Sequence, residues 1–143
     1  LVWLPYYIIP VKVCSRRGEG EITVSVDGCS GSFAIFEMHN DIVEGDIDGE
    51  TFPPKLDEQD AARIARKQLL ATIMRQRSNR EKPAPEEVLD VDLLYWPVWV
   101  YYYERRPGRL DIRVLDALTG SKPGPRLKTA VLAAFASAKE NAP

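Results

Sequence analysis

The sequence predicts an α+β domain: an antiparallel sheet built from two related β-hairpin units, with two helices packed on it. Three observations lead there. The stretches 4–32 and 96–121 read as the same strand–turn–strand unit. Two further stretches carry apolar residues at helical spacing. The 143 residues, 45% apolar and 28% charged, suffice for one ordinary core without metal or disulfide staples. A single domain over 1–143 is therefore expected. Because Leu1 is not a methionine and a strand pattern begins with it, a piece of a longer protein is expected too.

The first unit reads LPYYIIPVKVCSRRGEGEITVSVDGCSGS. An aromatic and β-branched run precedes Arg16-Arg17, and Gly18-Glu19-Gly20 supplies a turn. Ile22, Val24 and Val26 then alternate with Thr23 and Ser25, as in a half-buried strand. The strand 1–13 could leave a free sheet edge, and with it a route to a homodimer through edge strands. Pro53-Pro54, within 52–55, is a linker into the first helix, expected over 56–78. Asp57 is its N-cap, Glu58 and Asp60 complement the dipole, and Ala61, Ile64, Ala65, Leu69, Ile73 and Met74 form its apolar stripe. Pro83 and Pro85 break the chain over 81–87.

The second unit reads WPVWVYYYERRPGRLDIRVLDALTGS, turning at Pro107-Gly108. Leu110, Ile112 and Val114 alternate with Asp111 and Arg113. A second helix is expected from Pro125 to about 139, with Leu127, Val131, Phe135 and Ala138 on its face. Both units close on the pattern D-[GA]-x-[ST]-G-S, from Asp27 to Ser32 and from Asp116 to Ser121. An Asp accepting N–H bonds from residues just downstream, with a glycine for positive φ, makes such an ending a strand-exit turn.

The helix opened by Leu56-Asp57-Glu58-Gln59-Asp60-Ala61, followed by strands closing on V-L-D-A-L-T-G, resembles the PepSY-type domain. This is a small helix-plus-antiparallel-sheet module of peptidase propeptides and bacterial envelope proteins. The resemblance covers about 56–120, with a degenerate strand-only echo at about 4–32. Family members usually carry a loop between the first two strands after the helix, whereas 88–103 runs on without one. The resemblance implies a binding or inhibitory module without catalytic residues.

Charge and motif content narrow the function classes. The net charge is −2, without the basic excess of a nucleic-acid binder. The span 18–54 holds nine acids and neither Lys nor Arg. Arg16, Arg17, Arg105, Arg106, Arg109 and Arg113 gather near the two turns, where solvated charges account for them. No segment is long and apolar enough to span a membrane, and Pro5 and Pro10 interrupt the apolar opening. Cys14 and Cys29 are expected as free thiols, several residues apart along their strands.

Gly28-Cys29-Ser30-Gly31 departs from the G-x-S-x-G nucleophile elbow at Ser32. The second unit places Leu118-Thr119-Gly120 there, as a turn requires and a nucleophile does not. His39, the sole histidine, has no metal-ligand spacing to either cysteine. No catalytic residue, metal ligand or cofactor is assigned. Glu44, Asp46, Asp48 and Glu50 are a weak candidate for a hard cation, without the glycine and glutamate of an EF-hand loop.

The strongest functional hint is aromatic. Six of the thirteen aromatic residues fall together as Tyr95, Trp96, Trp99, Tyr101, Tyr102 and Tyr103. The run 93–103 lacks polar alternation, so it is either a strand covered on both faces or one with an exposed aromatic surface. The expected function is a non-enzymatic interaction or regulatory module with a protein or peptide partner. A domain binding a small apolar ligand at Trp96 or Trp99 is the alternative, and an uncharacterised enzyme the third.

Overall fold

The apolar opening of the chain forms its central strand. The computed structural model describes residues 1–15, 18–37, 42, 45, 47–75, 84–118 and 125–140. In chain order these form β1 (Val2–Ser15), β2 (Gly18–Asp27), β3 (Phe33–Ile35), β4 (Glu50–Thr51), α1 (Glu58–Arg75), β5 (Ala84–Val88), β6 (Asp92–Arg106), β7 (Arg109–Asp116) and α2 (Pro125–Glu140). The α+β class is as the sequence predicts. The strands make one sheet in the order β3-β2-β1-β6-β7, with β4 and β5 also paired to β1. All pairings are antiparallel except the short β1–β4 ladder at Val2 and Trp3.

β1 is no edge, contrary to the expectation for 1–13. On one side Tyr6–Ser15 pairs with β2 and Val2–Trp3 with β4. On the other, Val2–Ile8 pairs with β6 and Val11–Cys14 with β5, which lies end to end with β6. Two prolines survive in an interior strand because each lacks its N–H where no ladder continues. The Pro5 carbonyl accepts the Gly28 N–H at 2.9 Å, on the side where β2 has just ended. The Pro10 carbonyl accepts the Leu89 N–H at 2.9 Å, in the gap between β5 and β6. Pro85 sits within β5, which therefore runs through the expected break, and β5 pairs only with β1.

The β1–β2 hairpin turns earlier than the glycines suggest. Ser15 pairs with Gly18 and Cys14 faces Glu19, so Gly18-Glu19-Gly20 is already strand, and Arg16 and Arg17 lie outside the described residues. The β6–β7 hairpin turns at Pro107-Gly108, where Gly108 takes a φ of 79°. Cys14 and Cys29 are not joined in a disulfide.

Each sheet face has its own core and its own helix, since side chains alternate along a strand. Tyr7, Ile9, Val11 and Val13 of β1, with Val24 and Val26, meet the stripe Ala61, Ala65, Leu69 and Ile73 of α1. Met74, assigned to that stripe by spacing, is exposed. α1 starts as predicted: the Asp57 carboxylate accepts the Asp60 N–H at 2.7 Å, and the Tyr7 hydroxyl donates to the Leu56 carbonyl at 2.6 Å just before it. On the opposite face Val2, Leu4, Val98 and Val114 pack on Ala130, Val131 and Ala134 of α2. Phe52, expected in a linker, is buried there and meets Phe135 edge to face at 5.1 Å.

Candidate functional site

The inner half of β6, Asp92–Val98, is paired with β1. From Trp99 to Arg106 the described ladder partners lie in β7 alone, so this half is a two-stranded ribbon with one open edge. A ribbon of that kind buries a face only where a helix lies on it. α2 lies on one face, against Val98, Val100, Ile112 and Val114. On the other face stand Trp99, Tyr101 and Tyr103, exposed to 43%, 48% and 44%. The β7 residues opposite them are Leu115, Arg113 and Asp111. Tyr101, Tyr103, Arg113 and Leu115 line a shallow cleft on this face, and among the described residues no helix or strand covers it.

Strand alternation splits the six predicted aromatics into two groups. Tyr95, Trp99, Tyr101 and Tyr103 point to the bare face, Tyr95 half-buried at its inner end. Trp96 and Tyr102 point to the α2 face, where Tyr102 lies tilted on the Phe135 ring at 6.5 Å yet stays exposed. The six therefore do not form one surface. Arg113, counted by sequence among the solvated turn charges, and Leu115, not singled out, belong to the bare patch, because the register that puts them opposite Tyr101 and Trp99 is not legible in β6 itself.

The patch has an electrostatic sign. Asp111 lies at its outer end, but Lys128 of α2 reaches its carboxylate at 2.9 Å and the Tyr103 hydroxyl donates to it at 3.0 Å. With the Ile112 N–H, these hold the carboxyl down at about 2, the lysine contributing most. Arg113 is paired with no acid among the described residues, and Arg106 and Arg109 are exposed at the hairpin end. The free charge on this face is therefore positive. The two hairpins point to opposite ends of the sheet, because β1 and β6 are antiparallel. Arg16 and Arg17 lie outside the described residues, so of the arginines named by sequence Arg106, Arg109 and Arg113 are the ones seen exposed on β6 and β7.

A second concavity lies on the α2 face of the inner sheet. Tyr6, Ile8, Ser25, Trp96, Asp116 and Leu127 line a groove of about 460 Å³. Beside Tyr6, Asp27 is only 3% exposed; one carboxylate oxygen accepts the Cys29 and Ser30 N–H groups at 2.9 and 3.3 Å, and the other has no partner among the described residues. Burial first, then the Asp27, Cys29 and Asp116 groups, push the Tyr6 hydroxyl far above its ordinary range. Burial likewise raises the Cys29 thiol, with Asp27 acting in the same sense and the Lys55 N–H and Ser137 hydroxyl against it.

Of the cation candidates, Glu44 and Asp46 lie outside the described residues, as does His39. Asp48 and Glu50 are exposed, and the Asp48 carbonyl accepts the Trp3 indole N–H at 2.6 Å. Among the described residues no three His, Cys, Asp or Glu side chains converge as metal ligands, and no helix is long and apolar enough to cross a membrane. Compared with models of known protein families, with curated proteins and with solved structures, the chain matches none.

Proposed function

We propose that this chain is a non-enzymatic interaction module whose partner, a protein or peptide, docks on the bare face of β6 and β7. The observation that carries the reading is the row Trp99, Tyr101 and Tyr103 beside Arg113. Aromatic and arginine side chains are the types that anchor interfaces, and leaving three of them in water forgoes the stabilisation their burial brings. A photo-crosslinking residue at position 101, introduced into the full chain in its own cells, tests this. The expected product is a discrete adduct that Trp99→Ala removes. Crosslinking indistinguishable from that at exposed position 66 on α1 would refute it.

We also infer that the two hairpins are copies of one unit. The support is that shared features recur at matching positions. Tyr6 pairs with Asp27 where Val98 pairs with Asp116, and Ile9 with Val24 where Tyr101 pairs with Arg113. Gly28 donates to the Pro5 carbonyl as Ala117 does to the Pro97 carbonyl, at 2.9 and 3.1 Å. Asp27 accepts the Cys29 N–H as Asp116 accepts the Leu118 N–H, at 2.9 and 2.8 Å. The first strands of the units pair about Leu4 and Trp96, the same position in each. The PepSY-like reading remains part of the proposal. It is supported by a helix followed by antiparallel strands, although α1 packs on β1 and β2 rather than on β6 and β7.

The groove beside Trp96 favours a second reading, binding of a small apolar ligand. Quenching of tryptophan fluorescence by a fatty acid or a hydrophobic dye, lost in Ile8→Asp with the fold retained, is the expected result. No quenching at near-millimolar ligand would dismiss it.

A further inference from the structure

We infer that the partner of the bare face is an amphipathic helix with a small-residue stripe and an acidic flank, seated there as α1 is seated on the first hairpin. This rests on the interaction reading and on the relatedness of the two hairpins.

Matched by ladder register, Tyr7, Ile9 and Val11 correspond to Trp99, Tyr101 and Tyr103, and Val24 and Val26 to Arg113 and Leu115. The first set is the floor on which α1 lies. The second is a matching floor that no helix or strand covers among the described residues. The match holds face by face, because Leu4 and Trp96 are cross-strand neighbours and neighbours share a face. α2, which follows the second hairpin, lies on the opposite face and leaves this seat open. The seat also fits a helix in length: Trp99 to Tyr103 spans ~14 Å of strand, the rise of about three helical turns.

The differences between the two floors describe the occupant. Every β6 residue is bulkier than its β1 counterpart, so a helix at similar height needs small contact residues, as Ala61 and Ala65 are in α1. Aliphatic Val24 becomes Arg113, whose charge no described acid neutralises while Lys128 and Tyr103 occupy Asp111. The occupant therefore carries acids along the flank that meets Arg113. This argues against a second copy of the chain. α1 exposes Arg63, Arg66 and Lys67, and α2 has a single acid, Glu140, at its last position.

The probe is a synthetic peptide of residues 58–75 carrying Arg63→Glu, Arg66→Glu, Lys67→Glu and Arg75→Glu, titrated into the full chain at low salt. A control peptide has the same sequence except for two central residues exchanged for proline. Expected are helix gain on binding, shifts of the Trp99 indole and Tyr101 ring resonances, and affinity about tenfold weaker in Arg113→Glu, the scale of losing a hot-spot arginine. Equal binding by the proline control, or perturbations confined to the α1 side, would overturn the helix inference. So would no binding at millimolar peptide. If the peptide fails while the crosslink at position 101 forms, the interaction face stands and the helix falls. If neither appears, both fall.

Discussion

Gly28→Ala adds one methyl group at the strand exit of the first hairpin. A Cβ there would lie 2.9 Å from Pro54 Cβ, 3.1 Å from the Pro5 carbonyl oxygen and 3.3 Å from Pro5 Cβ. None of these is the end of a flexible side chain. Gly28 also donates to the Pro5 carbonyl and accepts N–H groups from Lys55 and Leu56, all at 2.9 Å, so its backbone is tied on both sides. Overpacking of this kind costs about 1–3 kcal/mol. Stiffening of the unfolded chain returns about 0.4–1 kcal/mol. The expected net loss is about 1–2 kcal/mol, read by urea denaturation with an unchanged m-value. Pro54→Gly removes the nearest obstacle, so a double-mutant cycle should show a coupling of roughly 0.5 kcal/mol or more. At the strand exit of the second hairpin Ala117 donates to the Pro97 carbonyl, and Ala117→Gly should cost only the entropy, about 0.4–1 kcal/mol. If Gly28→Ala is as stable as the parent, the close approach of Pro54 does not constrain this site.

Three other outcomes are expected. Leu69→Ala, in the fully buried stripe of α1, should lose about 2–5 kcal/mol, whereas exposed Tyr101→Ala should change stability by no more than about 0.5 kcal/mol; chemical denaturation that ranks them otherwise would reject the assigned faces. Asp111 has a folded pKa lowered to about 2 from an ordinary 3.8, so its contribution to stability is present above about pH 4 and fades as pH falls through about 2. Lys128→Met should raise the Asp111 carboxyl pKa toward the ordinary value in an NMR titration; an unmoved titration would contradict the role given to Lys128. Cys29, buried and with a raised thiol pKa, should react with a disulfide reagent at pH 8 far more slowly than Cys14. Equal rates in the native protein would count against that burial.

The parts of the fold that local chemistry dictates were legible. Asp57 caps its helix, and Ala61, Ala65, Leu69 and Ile73 bury as their spacing requires. Both hairpins form, and Ile22, Val24 and Val26 alternate inward. The position of β1 was not legible, because a proline is accommodated in an interior strand only where its missing N–H falls at a gap left by other strands, as at Pro5 and Pro10, and those gaps depend on distant segments. The turn was misplaced because glycines drew it to 18–20, whereas Gly18, with a φ of 127°, opens β2 instead. The aromatic concentration on β6 was visible, and strand parity alone separates Trp96 and Tyr102 from the rest. Arg113 and Leu115 required a cross-strand register, which no single strand encodes.

The central position of β1 has a consequence for synthesis. β1 emerges from the ribosome before the other strands of this sheet, and β2 follows at once to cover one of its edges. The other edge waits for residues encoded far downstream: Ile8 for Asp92 and Val2 for Val98. At about 5–20 residues per second, that edge is open for roughly 4–20 s. During this interval the nascent chain presents an apolar, unpaired strand in a crowded compartment. Pro10 withholds a hydrogen-bond donor on that very edge, so a strand from a neighbouring chain cannot zip past it. A residue tolerated in the finished sheet because it falls at a gap thus protects the chain before the sheet exists.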